Sequence, residues 1–78
     1  MYIYPMKKEK ILKHIGTQIG AIRMKNGMSK YALAKKISKP YQSILRIEQG
    51  KTNASYIVML EIASGLDVSI AELTKGLK

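Results

Sequence analysis

Cysteine is missing from this 78-residue chain, and so are tryptophan and phenylalanine. Without cysteine the chain forms no disulfide and offers no thiolate to a metal ion. Without the two most apolar aromatic residues, its core has to be built from Ile, Leu, Met, Val and Ala, a set that suits packed helices. Hydrophobic residues still make up 46% of the sequence. That fraction is typical of a globular domain and too high for a disordered tail.

Long apolar runs are also missing, and none approaches the roughly 18 residues that a membrane-spanning helix needs. The first ten residues, MYIYPMKKEK, place their charges after the apolar residues, which is the reverse of a secretory signal. The absence of cysteine suits a reducing compartment. The length is that of one domain. We therefore expect a single-domain cytoplasmic protein.

Acidic residues are scarce, since five Asp and Glu stand against fourteen Lys and Arg, which leaves a net charge of +9. The excess lies in residues 1–39, which hold ten of the fourteen basic residues and only Glu9 as an acid. Residues 40–78 are neutral in sum. Such an imbalance favours an anionic partner, either nucleic acid or a membrane surface. High solubility alone is the other explanation.

Groups that carry enzyme chemistry are few. His14 is the single histidine, and no two acids stand at a spacing typical of acid–base catalysis. Gly50-Lys51-Thr52 resembles the end of a phosphate-binding loop, but the glycines that should precede it are missing. The sequence contains no set of metal ligands. We expect no enzyme activity, no cofactor and no metal ion.

Hydrophobic spacing predicts an all-α domain over residues 8–78, preceded by a tail of residues 1–7. Helix one carries isoleucines at steps of four, four and three residues and ends at Asn26-Gly27. Helix two has Ser29 as its N-cap. In the tail, Tyr2-Ile3-Tyr4 alternates as a strand does. The tail is therefore either flexible or a short strand that pairs with a second copy.

Three further helices follow. Helix three is predicted over residues 41–49, after a break at Pro40, because proline cannot lie inside a helix. Ser69 and Glu72 match the S-x-x-E capping box and predict a short fifth helix. Helix four starts after Ser55, and the apolar residues that we expect on its buried side are Ile57, Leu60, Ala63 and Leu66.

Helices two and three are joined by a tight turn. This arrangement is common in helical proteins, so only particular residues can link it to one family. Those residues are Ile22-Arg23, Gly27-Met28-Ser29, Leu33-Ala34, Ile44, Arg46-Ile47-Glu48, Gly50-Lys51, Leu66-Asp67-Val68-Ser69 and Leu73. With them, the chain from Ile15 to Leu73 resembles the phage-repressor and Cro-like helix-turn-helix family, also called the xenobiotic-response-element type. The resemblance implies a compact five-helix, lambda-repressor-like DNA-binding domain.

The resemblance also implies that helix three lies in the major groove while helix two crosses the phosphate backbone. Transferred residue by residue, it predicts contacts to DNA bases from Tyr41, Gln42, Ser43 and Arg46. Gln suits adenine and Arg suits guanine, and each such pair discriminates by about 1–3 kcal/mol. For Tyr41 the alternative is a half-exposed aromatic that only packs against its neighbours.

Other positions match those at which the family binds phosphate, although any one of these lysines can equally be solvated. The predicted phosphate contacts are Lys30, Lys35, Lys36, Lys39, Lys51, Thr52 and Asn53. Arg23 and Glu48 match a partly buried ion pair between helices one and three. Such a pair orients the recognition helix and leaves an uncompensated charge when one partner is lost.

The turn departs from the family pattern, which has Gly, an apolar residue and a Ser or Thr cap where this chain has Ser38, Lys39 and Pro40. We expect a looser turn and allow for a one-residue shift in the register of helix three. Leu45 is a second oddity, because it is an apolar residue on what should be the outer face of that helix.

These predictions describe a dimeric transcriptional repressor that binds double-stranded DNA, since a single recognition helix reads only a few base pairs. The predicted homodimer interface is formed by Val68, Ile70, Leu73 and Leu77. The alternative is an antitoxin that binds a protein toxin and represses its own promoter. Binding to a membrane is disfavoured, because the apolar stripe of helix one is only as wide as a core-facing helix needs.

Overall fold

The structure, a computed structural model, describes residues 7–77, which contain five helices and no strand. The helices are α1 (Lys8–Lys25), α2 (Lys30–Lys36), α3 (Tyr41–Glu48), α4 (Tyr56–Gly65) and α5 (Ile70–Leu73). The all-α class and the order of the five helices are confirmed. The strand predicted at Tyr2-Ile3-Tyr4 lies outside the described residues.

Side-chain caps start two of the helices as predicted. The Ser29 hydroxyl accepts a hydrogen bond from the Ala32 N–H at 2.9 Å, and the Ser55 hydroxyl accepts one from the Val58 N–H at 3.2 Å. Each cap satisfies an amide that the helix itself leaves free. The predicted fifth helix is confirmed with Ser69 as its N-cap, but the Ser69 side chain makes no capping hydrogen bond.

Four helix ends share one backbone motif. Beyond each of α1, α2, α3 and α4, a residue with a left-handed conformation reverses the chain, and the following N–H donates to a carbonyl five residues back. The left-handed residues are Gly27, Ser38, Gly50 and Asp67, with φ angles of 71°, 57°, 72° and 59°. The donors are Met28, Lys39, Lys51 and Val68, at N···O distances of 2.9 to 3.0 Å.

Every helix or its cap contributes a large side chain to one core. The fully buried ones are Ile19, Leu33, Ile44, Ile62, Leu66 and Leu73. Burial of a side chain of this size stabilises the fold by about 1.5–3 kcal/mol. The buried stripe predicted for α4 is half wrong, because Ala63 and Leu66 face the core while Ile57 and Leu60 are 67% and 42% exposed.

Gly16 brings the backbones of α1 and α3 into direct contact. A Cβ at Gly16 would lie 2.5 Å from the carbonyl oxygens of Ile47 and Glu48, closer than any side chain tolerates. The middle of α1 is therefore pressed against the C-terminal end of α3. A side chain at this position would force the two helices apart.

Across residues 7–77, no helix combines the length and the hydrophobicity that crossing a membrane requires.

Candidate nucleic-acid interface

The outer face of α3 presents two of the side chains predicted to contact bases. Ile44 and Ile47 are 0% and 6% exposed and define the inner face. At 100° per residue, Gln42 and Arg46 fall on the opposite side of the helix, and both are exposed. Tyr41, which is 41% exposed, lies at the edge of that outer face.

The turn before α3 keeps the helix in the expected register. Ser38 takes the left-handed conformation for which the family uses glycine, and the Lys39 N–H donates to the Ala34 carbonyl at 2.9 Å. Pro40 is the N-cap of α3, where the amide that proline lacks has no helical partner in any case. The helix starts at Tyr41, and the register shift that we allowed for does not occur.

Arg23 joins α1 to the end of α3 through a two-pronged ion pair. Its Nε donates to Glu48 Oε2 at 2.7 Å and its Nη2 donates to Glu48 Oε1 at 3.1 Å. The third guanidinium nitrogen, Nη1, donates to the Met28 carbonyl at 2.7 Å. Both charged side chains are only 8% exposed. The structure thus brings together the two residues that the family resemblance paired.

The loop after α3 borders a groove that is also lined by residues of that helix. Lys51 and Asn53 are exposed in this loop, and Thr52 is half-buried. Thr52 shares an open groove of about 340 Å³ with Ser43 and Arg46. Two residues predicted to contact bases, Ser43 and Arg46, therefore line one groove with Thr52, which is predicted to contact phosphate.

The predicted phosphate lysines fall into two groups. Lys35 is exposed and Lys30 half-buried, and neither is in an ion pair with a described residue. In contrast, Lys36 donates from Nζ to the Gly65 carbonyl at 2.8 Å and lies 3.8 Å from Asp67. It caps the C-terminus of α4 with a positive charge, which we did not predict. We therefore remove Lys36 from the predicted phosphate contacts.

Lys39 is held by an acid at the edge of the groove. Its Nζ lies 3.0 Å from Glu61 Oε1 without hydrogen-bond alignment, and its side chain remains 30% exposed. The ion pair is therefore weak enough for a phosphate to compete with Glu61 for this lysine.

We expect Glu61→Gln to strengthen binding to DNA of any sequence several-fold, because Lys39 becomes free to contact phosphate. Fluorescence anisotropy over a series of salt concentrations measures this, and the salt slope should steepen by about 0.9 per added contact. Glu72→Gln removes the same charge from an exposed site on α5 and is the control. Equal effects of the two variants would show that Lys39 does not reach the backbone.

Gln49 belongs to the outer face of α3 and was missed. It is exposed, and it stands seven residues after Gln42 and three after Arg46, so the three share one side of the helix. Counting in steps of 100° from the buried isoleucines would have identified it. Leu45, the apolar residue expected on the outer face of helix three, is half-buried.

The predicted dimer interface needs correction. Leu73 is 0% exposed and belongs to the core, so it is not available to a second copy. Val68 and Ile70 are half-buried and pack against the core, and Leu77 is half-buried as well. The apolar side chains that the monomer leaves most open on one helix face are Tyr56, Ile57 and Leu60 of α4, at 66%, 67% and 42% exposure.

Comparisons with known proteins agree with this geometry. A helix-turn-helix family model, HTH_3, matches residues 19–73. The solved restriction-modification controller protein C.AhdI from Aeromonas hydrophila is 27% identical, with a TM-score of 0.78, over 80% of this chain and 94% of that one. A mutant of a second such controller, C.Esp1396I, is 28% identical, with a TM-score of 0.75, over 81% of this chain and 80% of that one.

An HTH_3 family transcriptional regulator from Vibrio cholerae has a TM-score of 0.81 at 24% identity and shows likeness of fold alone. The match covers 86% of this chain but only 38% of that regulator. No curated protein is similar enough in sequence to this chain to count as a relative. Because the family model matches residues 19–73, most of the chain, this protein belongs to the HTH_3 family of Cro/C1-type helix-turn-helix proteins.

Proposed function

We propose that this chain is a cytoplasmic, dimeric transcriptional repressor that binds a specific double-stranded DNA site with α3 in the major groove. The observation that carries the proposal is the outer face of α3, where Gln42 and Arg46 are exposed on the side of the helix away from the buried Ile44 and Ile47. Amide and guanidinium groups are the side chains that pair bidentately with adenine and guanine in that groove. The net charge of +9 supplies the attraction to an anionic partner.

Backbone contacts on both sides of α3 would set its register on the duplex. Lys30 stands at the start of α2, and the 51–53 loop follows the end of α3. Two flanking anchors of this kind position a recognition helix without reading sequence themselves. In this proposal Lys30, Lys35, Lys51, Thr52 and Asn53 contact phosphate, and Lys39 joins them when it leaves Glu61.

A second copy would bind through the exposed face of α4 rather than through the C-terminal residues first predicted. The helix contains one charged residue, Glu61, and its carboxylate already faces Lys39. The apolar face is therefore close to neutral, whereas two copies of a strongly basic chain repel each other elsewhere. Tyr56 and Ile57 both neighbour Leu60 on the helix surface, since Leu60 follows them by four and three residues.

Fluorescence anisotropy tests the proposal with labelled duplex from the promoter of the protein's own gene beside a scrambled duplex, at several salt concentrations. Binding to the promoter should be at least about a thousandfold tighter. If both duplexes bind weakly, equally and with the same salt dependence, sequence-specific recognition of that promoter is excluded.

We expect Arg46→Ala to weaken binding to the promoter site by about 1–3 kcal/mol, because a bidentate contact to a base is lost. Binding to scrambled duplex should change little. Lys51→Ala is the matched variant, since a lost phosphate contact should weaken both duplexes alike. Parallel losses for Arg46→Ala on both duplexes would show that Arg46 touches only phosphate.

A further inference from the structure

Helix α1 extends well beyond the part of the chain that matches the family model. The match begins at residue 19, whereas α1 begins at Lys8. The preceding N-cap and the first turns of α1 carry four exposed lysines and a single acid, Glu9. The four are Lys7, Lys8, Lys10 and Lys13, and none is in an ion pair with a described residue.

These lysines do not stabilise the helix that carries them. Positive side chains near a helix N-terminus oppose the helix dipole and are unfavourable there. The N-cap, Lys7, makes no capping hydrogen bond, whereas α2 and α4 start with the capping serines Ser29 and Ser55. The charges weaken the helix, so helix stability does not explain their presence.

The basic start of α1 lies next to the loop that follows α3. A Cβ at Gly50 would lie 2.9 Å from the Lys13 Cα, so loop and helix touch at their backbones. Leu12 lines a small cavity together with Thr52 and Asn53 of the same loop. From Lys13, the helix continues toward Lys8 for about 7.5 Å, or roughly two nucleotide steps along a duplex.

We propose that Lys7, Lys8, Lys10 and Lys13 bind the phosphate backbone of the duplex beside the site that α3 reads, and so lengthen the DNA contact. The inference rests on the proposed function, because it places these lysines relative to DNA held by α3 and the 51–53 loop. Lysine offers a flexible point charge, which suits phosphate and does not select bases. A lipid surface fits less well, since Ile15 and Ile19 on the apolar side of α1 already face the core.

The test compares two duplexes, one that ends at the edges of the binding site and one with about five extra base pairs on each side. The wild-type protein should bind the longer duplex about tenfold more tightly and with a steeper salt slope. The double variant Lys10→Gln with Lys13→Gln should lose most of that gain and bind the short duplex as the wild type does. Lys25→Gln with Lys75→Gln removes the same charge at two exposed positions and should keep the gain.

A double variant that keeps the full gain from the flanking base pairs would overturn the inference. Failure of the proposed function looks different, because the wild-type protein would then not distinguish the short duplex from a scrambled one. The inference would also be overturned if the wild-type protein bound both duplexes with the same affinity but bound vesicles of phosphatidylcholine and phosphatidylserine through Lys10 and Lys13. That result would assign the two lysines to a membrane. Circular dichroism of each variant shows that the helix content is unchanged.

Discussion

Replacing Ile57 and Leu60 together by glutamine is expected to leave the fold intact and to weaken binding to the promoter site about a thousandfold. The two residues are 67% and 42% exposed in the monomer and neither belongs to the buried core, so their replacement removes little from it. Glutamine is uncharged, so the substitutions do not change the affinity for DNA through repulsion from phosphate. The affinity should fall because a monomer engages one half-site and approaches non-specific binding.

Sedimentation equilibrium and fluorescence anisotropy on the same samples measure the two effects together. Met24→Gln is the control, because Met24 is a 65% exposed apolar residue on α1 and its replacement should alter neither mass nor affinity. A double variant that remains dimeric would rule out the α4 face as the interface. A wild-type protein that is monomeric at high micromolar concentration would contradict the proposed dimer. In a monomeric protein, the exposed face of α4 would be available to a different protein, such as the toxin of the antitoxin alternative.

Local chemistry was enough to predict where most of the helices start and stop. Ser29 and Ser55 cap because their hydroxyls reach an amide three residues on, a contact that depends on no other part of the chain. Gly27 and Gly50 end helices because glycine takes a left-handed conformation without strain. Ser38 takes the same conformation although it carries a Cβ. Nothing in its own residue type predicts that.

The face that α4 buries was not predictable from periodicity, since its sequence YIVMLEIASG is apolar on nearly every side. Gly65, the last residue of α4, packs closely against Ile37 and Leu33. A Cβ there would lie 2.6 Å from Ile37 Cγ2 and 3.1 Å from Leu33 Cδ1. Ile62, three residues before Gly65, is fully buried, whereas Ile57 is exposed.

The candidate site was predictable to the extent that it depends on α3 itself. Exposure of Gln42 and Arg46 follows from the spacing of the buried isoleucines and from the start of the helix at Tyr41. The hydrogen bond from Lys36 to Gly65 could not be predicted, because its acceptor is a main-chain carbonyl 29 residues away in the sequence. Every residue has a main-chain carbonyl, so the sequence does not show which lysine will contact one. A lysine that caps a distant helix therefore cannot be distinguished, by sequence, from a lysine that is free to contact DNA.

We expect Arg23→Met to lower the free energy of unfolding by about 3–5 kcal/mol, since the Glu48 carboxylate would stay buried without its partner. A chain of this size has roughly 4–12 kcal/mol in total, so the loss is a large part of its stability. Urea unfolding followed by circular dichroism measures it. Lys25→Met removes an exposed cation from the same helix and should change the free energy of unfolding little. A loss below about 1 kcal/mol in Arg23→Met would contradict a buried, uncompensated charge.

Adding Glu48→Met to Arg23→Met should restore most of that stability, because two apolar side chains then replace the two charges. The double variant also separates stability from orientation of α3, which neither single variant does. If the ion pair aims α3 at the major groove, the folded double variant will lose part of its preference for the promoter site while its binding to scrambled duplex stays the same. An unchanged preference would limit the pair to a structural role. In that case the backbone contact at Gly16 would be enough to set the angle of α3.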